Sequence, residues 1–169
     1  MKSSLVAVNR LIESITNVLA VVSSILMVVL TIVVFLDVFS RYIFNLPFTF
    51  TGELTALIFP WIVFFGTVII TKNDENVAIT VFKEKFFAGK SGKYADLMIY
   101  LIMIFFSVFL IKSSFDLSVS VYRQTLPILG ISKSWMYISE TFAFCLVLLI
   151  LIYKAILLFF GKKNMEEQQ

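Results

Sequence analysis

Four long apolar stretches, separated by short polar segments, occupy nearly all of this 169-residue chain. The clearest of them, residues 15–36, contains no charged side chain. A helix rises 1.5 Å per residue, so crossing a hydrocarbon core of about 30 Å takes about 20 residues. Because unpaired backbone amides are too costly in hydrocarbon, stretches of this length form helices. The sequence therefore predicts an all-α integral membrane protein with a single domain over residues 1–169.

Four transmembrane helices are expected at about residues 15–39, 53–71, 94–121 and 135–160. The composition agrees, because 60% of the residues are hydrophobic, whereas soluble proteins average about 45–50%. The first apolar stretch is too long for a signal peptide and precedes no small-residue cleavage site, so we expect a retained helix. Residues 76–87 mix apolar side chains with lysine and glutamate, which favours a short helix at the membrane interface.

Lysine and arginine are distributed unevenly between the two predicted faces of the membrane. Ten of them fall on the face that carries both termini and the connector between spans two and three. The opposite face has three, namely Arg41, Arg123 and Lys133. Because positive charge concentrates in cytoplasmic segments, both termini are predicted to be cytoplasmic. The aromatic segment 42–52 is then expected at the outer headgroup level.

Several classes of function are excluded by what the sequence lacks. There is no histidine, which excludes haem held by paired histidines, histidine-based zinc sites and Ser–His catalysis. The only cysteine, Cys145, lies in the fourth apolar stretch, so a disulfide-exchange enzyme is excluded as well. We predict no enzymatic activity, no catalytic residue, no metal and no cofactor. No arginine-rich face is present, and no nucleic-acid partner is expected.

Six ionisable side chains are predicted to lie in the outer half of the membrane or at its edge, where charge is costly. They are Asp37, Arg41, Glu53, Lys112, Asp116 and Glu140. One interpretation is a polar site for a solute or an ion, and the other is structural pairing that fixes helix packing. Asp37 precedes Arg41 by four residues, which places opposite charges on one helix face. Lys112 and Asp116 repeat this spacing in reverse, and Glu53 favours the positive end of the second helix.

Residues 37–47, DVFSRYIFNLP, with Gly52, Glu53 and Leu54 after them, resemble the small membrane subunit of TRAP transporters (tripartite ATP-independent periplasmic transporters). That family has an Arg-Tyr-x-Phe pattern after its first span and a Glu-Leu pair that opens the second. The length, the four-span layout and the cytoplasmic termini agree over the whole chain. The chain departs from the family in FTGE at 50–53, where a Trp and two acids are common. It departs again in ENVAI at 75–79, where a histidine is common.

The resemblance implies a non-catalytic subunit of the bacterial inner membrane that packs on the scaffold of a large membrane subunit. In such systems a periplasmic binding protein delivers an organic acid, which the large subunit imports with sodium. The likeness to small subunits of sialic acid systems favours sialic acid over a dicarboxylate. Membrane lipids are further expected partners. Candidate partner contacts are Tyr42, Phe44, Asn45, Pro47, Arg123 and Lys133.

The alternative is a self-sufficient oligomeric carrier or channel, in which Glu140 or Asp37 binds the coupling ion. Apart from Asp96 at the start of the third span, no acid lies in the inner half of any predicted span. A stand-alone ion path would continue toward the cytoplasm, so this absence argues against the alternative.

Overall fold

The computed structural model describes the backbone of residues 2–73 and 92–161, and the side chains of residues 7–73 and 97–158. Four α-helices account for most of the described backbone. In chain order they are α1 Lys2–Phe44, α2 Thr51–Asn73, α3 Gly92–Ser120 and α4 Ser134–Gly161. The interfacial helix predicted at residues 76–87 lies outside the described residues.

Each helix contains a segment that is long and apolar enough to cross a membrane. These segments are Ala7–Phe44, Thr51–Asn73, Leu97–Ser120 and Ser134–Leu158. At most 22% of the apolar window of any of them is buried inside the structure, so most of their side chains keep some exposed surface. Outward apolar side chains suit contact with hydrocarbon, and the predicted all-α, four-span class is confirmed. The first helix begins at Lys2, much earlier than the predicted start at residue 15.

The helix α4 lies at the centre of the bundle. It packs against both α2 and α3, while α1 packs mainly along α2. An apolar core joins α1, α2 and α4, and it consists of Leu19, Phe65, Val68, Ala143, Val147, Ile150 and Leu151. The order of the helices in space is therefore α1, α2, α4, α3, which leaves α1 and α3 at the edges.

The contact between α3 and α4 is polar as well as apolar. Ser114 Oγ lies 2.8 Å from Thr141 Oγ1, and Ser118 Oγ lies 2.6 Å from Ser134 Oγ. Small hydroxyl residues let two helices approach closely and hydrogen-bond across a membrane interface. These two bonds fix the face of α3 that is turned toward α4.

The antiparallel register of α1 and α2 is marked by a hydrogen bond near the middle of the bundle. Ser23 Oγ donates to the carbonyl oxygen of Ile62 at 3.4 Å. Asn73, the last residue of α2, is eleven residues beyond Ile62, and the equivalent level on α1 is Ile12. The first ten residues of α1 therefore project about 15 Å beyond the end of α2.

Candidate functional site

One end of the bundle gathers most of the polar residues that the sequence singles out. It is formed by the α1–α2 connector, residues 45–50, and the α3–α4 connector, residues 121–133. We use the term connector face for these two segments together with the helix ends that hold them. Its geometry is set by the backbone turns at the helix ends and by the carboxylates of Asp37 and Glu53.

The helix α1 ends because Asn45 adopts a left-handed backbone conformation, with φ 54°. Asparagine tolerates this conformation better than most residues. Ser40 Oγ donates to the carbonyl oxygen of Leu46 at 2.6 Å, which holds the chain as it turns away from the helix. Pro47 follows and has no N–H group with which to continue the helix. The next backbone donor is that of Phe48.

Asp37 binds this connector to the last turns of α1. Its Oδ1 accepts the N–H of Phe48 at 2.7 Å, and its Oδ2 accepts from the Arg41 guanidinium at 3.1 Å. The Asp37 carboxylate is buried, whereas the Arg41 side chain is 60% exposed. The structure thus brings together the two residues whose spacing suggested a pair. The bond to Phe48 was not predicted.

Glu53 binds the second connector from the first turn of α2. Its carboxylate accepts the N–H of Ile128 at 3.1 and 3.0 Å and the N–H of Leu129 at 2.8 Å. Hydrogen bonds to an ionised acceptor are about twice as strong as neutral ones. Glu53 therefore ties the start of α2 to the tip of the α3–α4 connector, in addition to its predicted place at the helix start.

The α3–α4 connector has an ordered backbone of its own. Thr125 and Ser132 form an isolated antiparallel bridge. Inside it, the N–H of Leu126 donates to the carbonyl oxygen of Ile131 at 2.8 Å. Gly130 makes the return turn with φ 68°, where a side chain would be strained. The connector is a compact hairpin-like turn whose outer tip is held by Glu53.

Most of the predicted partner contacts lie open on the connector face. Tyr42 is 82% exposed, and Phe44, Asn45, Pro47 and Arg123 are also exposed. Lys133 is half-buried. The acids of this face are turned to backbone donors, while the guanidinium groups of Arg41 and Arg123 remain exposed. The connector face therefore exposes aromatic rings and positive charge on connectors that are held in place by hydrogen bonds.

The remaining sequence-predicted residues are not brought together. Lys112 and Asp116 are both exposed on α3, and within the described side chains no ion pair joins them. Glu140 is half-buried on α4 and has no polar partner in the part of the chain that the structure describes. Sequence reasoning missed a bond at the opposite end of the bundle, where Lys154 Nζ donates to the Thr71 carbonyl oxygen at 2.8 Å.

Comparison with known proteins identifies the architecture. The family model of the DctQ component of tripartite ATP-independent periplasmic transporters matches residues 30–161, which include the whole connector face. A putative TRAP transporter small permease protein of Haemophilus influenzae is 29% identical over 133 residues, covering 78% of this chain and 81% of that relative. With its four apolar helices, the chain is a multi-pass membrane protein that belongs to the DctQ family, the small membrane components of TRAP transporters.

Proposed function

We propose that this chain is a non-catalytic scaffold subunit that packs on the large membrane subunit of a sodium-coupled TRAP transporter. It resides in the bacterial inner membrane with both termini cytoplasmic. The observation that carries the proposal is the use of Asp37 and Glu53. Both carboxylates accept backbone N–H groups of the connectors. Carboxylates that already accept backbone hydrogen bonds stabilise the connectors and are poorly suited to bind a transported ion.

The connector face is the proposed docking surface for the periplasmic binding protein. A surface that is already ordered loses less conformational entropy when a partner binds. The exposed aromatic ring of Tyr42 and the exposed guanidinium of Arg123 are of the residue types that dominate binding at protein interfaces. A complementary acidic patch is therefore expected on the binding protein.

The proposed cargo is an organic acid, with sialic acid favoured over a four-carbon dicarboxylate. This choice is supported by the sequence resemblance to small subunits of sialic acid systems. The cargo and the sodium ions are expected to bind the large subunit, since the inner halves of the predicted spans of this chain contain no acid other than Asp96 at the start of the third span. Proteoliposomes that contain both membrane subunits should import sialic acid only with a sodium gradient and the binding protein. Import of a dicarboxylate in its place would change the assigned cargo.

Assembly is tested by purifying the tagged chain from its native membrane under mild extraction and identifying its companions by mass spectrometry. A stoichiometric large polytopic protein is the expected companion. Recovery of this chain alone, as a stable oligomer, would contradict the scaffold proposal.

Glu140 keeps a second candidate function open, because it is half-buried and has no partner among the described side chains. In a self-sufficient carrier it would bind the coupling ion. Asp37 is a poorer candidate for that role, since both of its oxygens already accept hydrogen bonds. This candidate requires transport by the chain alone in liposomes, and that transport must disappear in Glu140→Gln.

A further inference from the structure

The helix α3 packs through one face, and its opposite face carries two charges. Ser114 and Ser118 are buried and hydrogen-bond to α4. Two residues along a helix correspond to a rotation of about 200°. Lys112 and Asp116 each precede one of these serines by two residues, so they lie on the far side of α3, and both are exposed.

The outward face of α3 forms a continuous stripe with spacings of three and four residues. This α3 stripe consists of Met98, Leu101, Phe105, Phe109, Lys112, Asp116 and Val119, all of them exposed. Its most exposed apolar member is Phe105, at 77%. The same spacing marks the seam along which two helices pack. Apolar side chains on such a stripe are compatible with lipid as well as with a second helix. The two charges therefore distinguish between these two kinds of contact.

Lys112 and Asp116 lie within the apolar segment Leu97–Ser120. Asp116 is about 6 Å and Lys112 about 12 Å from the end of that helix. Charged side chains at such depth are costly in lipid and almost always pair or face protein. Elsewhere in the spans, Asp37 with Arg41 and Lys154 with Thr71 satisfy this requirement inside the chain. For the two charges of the α3 stripe, the described residues offer no partner.

We propose that the α3 stripe is the surface on which the large subunit packs. The partner is a transmembrane helix that places an acidic group against Lys112 and a basic group against Asp116. This inference rests on the proposed function and names the face of this chain that the scaffold contact uses. The two opposite charges lie one turn apart, so they also set the position of the partner helix along the membrane normal. A partner helix shifted by one turn would place like charges against each other.

A second copy of this chain is a poorer occupant of the α3 stripe. Two copies in one membrane are related by a twofold axis along the membrane normal, which makes their α3 helices parallel. Equivalent residues then face one another across the axis, as in a parallel coiled coil. Lys112 would meet Lys112 of the second copy, and Asp116 would meet Asp116. Such like-charge contacts disfavour the pair.

The first test is a charge exchange, Lys112→Asp with Asp116→Lys. The variant keeps both charges at the same depth and keeps their ability to pair with each other, but it inverts the pattern shown to a partner. Co-purification of the large subunit should fall about tenfold or more, because like charges meet across the interface. The control is Arg10→Glu with Glu13→Arg on the exposed start of α1, which should leave the yield unchanged. Wild-type yield from the charge exchange would overturn the proposal.

The second test does not depend on how well the exchanged variant folds. A photo-crosslinking amino acid replaces Phe105, and in a control chain it replaces Val21, which is 61% exposed on α1. The Phe105 position should crosslink to the large subunit and the Val21 position should give only background. Crosslinks at Phe105 to lipid alone or to a second copy would overturn the α3 stripe assignment. If such crosslinks are found but the large subunit still co-purifies with the wild-type chain, only the α3 stripe assignment fails and the proposed function stands. If the large subunit does not co-purify with the wild-type chain, the proposed function itself is rejected.

Discussion

At the scale of single residues, Asp37 and Glu53 act as acceptors for backbone N–H groups that no helix satisfies. Both connectors turn sharply, so donors at Phe48, Ile128 and Leu129 lie outside regular structure. The donor of Ile128 is exposed and those of Phe48 and Leu129 are partly buried. Hydrogen bonds to an ionised acceptor are about twice as strong as neutral ones, so the two carboxylates hold the connectors against the helix ends.

Glu53→Gln is expected to loosen the α3–α4 connector without affecting the helices. The change keeps the size of the side chain but removes the charge, and its cost should be about 1–3 kcal/mol of unfolding free energy. Arg123 lies in this connector, so trypsin should cleave after it faster in the variant. The measurement is mass spectrometry of tryptic fragments, with detergent titration for stability. Glu13→Gln, on the exposed surface of α1, is the control; equal cleavage in the two variants would contradict the role of Glu53.

Asp37→Ala and Arg41→Ala should differ in what they damage. Asp37→Ala removes the acceptor of two donors and should cost about 1–3 kcal/mol of stability. Arg41→Ala removes a side chain that is 60% exposed and leaves Asp37 its bond from Phe48, so its effect on stability should be at most about 1 kcal/mol. Arg41→Ala is instead expected to lower recovery of the large subunit or cargo uptake, because its guanidinium is displayed on the connector face. Thermal unfolding and co-purification distinguish the two variants. Normal assembly and uptake in Arg41→Ala would contradict the second expectation.

Only part of this residue chemistry is visible in the sequence. Asp37 and Arg41 lie four residues apart on one helix, so local geometry alone predicts that they can meet. Glu53 and Ile128 are 75 residues apart. Their contact depends on how α2 and α4 pack and on the turn at Gly130, and no local pattern encodes it. The same limit applies to Lys112 and Asp116, whose spacing permits a pair that the structure does not form.

At the scale of the helices, α1 is much longer than a bilayer requires. Its 43 residues span about 64 Å, twice a hydrocarbon core of about 30 Å. Tilting alone cannot absorb this difference, because transmembrane helices tilt by about 40° at most. The register with α2 places the excess at the start of α1, where Arg10 and Glu13 are exposed.

Single cysteines should therefore report an aqueous segment at the start of α1. In a Cys145→Ala background, Asn9→Cys should react with a water-soluble maleimide in membranes, whereas Ile25→Cys should be protected. If the N-terminus is cytoplasmic, labelling of position 9 should occur in inside-out vesicles and not in right-side-out ones. Protection of position 9 in both would contradict the projecting helix, and labelling only in right-side-out vesicles would reverse the predicted orientation.

Hydrophobic length predicted the four helices, but it could not predict where α1 begins. Residues 2–14 include Lys2, Arg10 and Glu13, which lower the hydropathy and suggested a polar segment ahead of the span. They contain no proline or glycine, however, so nothing in them stops a helix. The packed span downstream provides the nucleus on which this segment extends, since adding a residue to an existing helix is far easier than starting one.

At the scale of the whole molecule, the order α1, α2, α4, α3 leaves two edge helices with outward faces. The sequence could not predict this order, because helices that are apolar all round carry no information about which face is packed. The structure distinguishes the two edges by charge. The α3 stripe carries Lys112 and Asp116 within its span, whereas the outward charges Arg10 and Glu13 of α1 lie near its projecting end.

The two candidate functions make opposite predictions for Glu140→Gln. If the chain is a scaffold subunit, Glu140 carries no ion, and the variant should support the same sodium-dependent uptake as the wild type in proteoliposomes with the large subunit and the binding protein. The chain alone should then be silent, with or without the change. If the chain is a carrier, it transports alone and Glu140→Gln abolishes that activity. Asp116→Asn, at a similar depth in the bundle but part of the α3 stripe, is the comparison that separates the two functions. Asp116→Asn should reduce uptake because assembly with the large subunit is weakened, and excess large subunit should restore the uptake. Loss of an ion-binding carboxylate could not be rescued in this way.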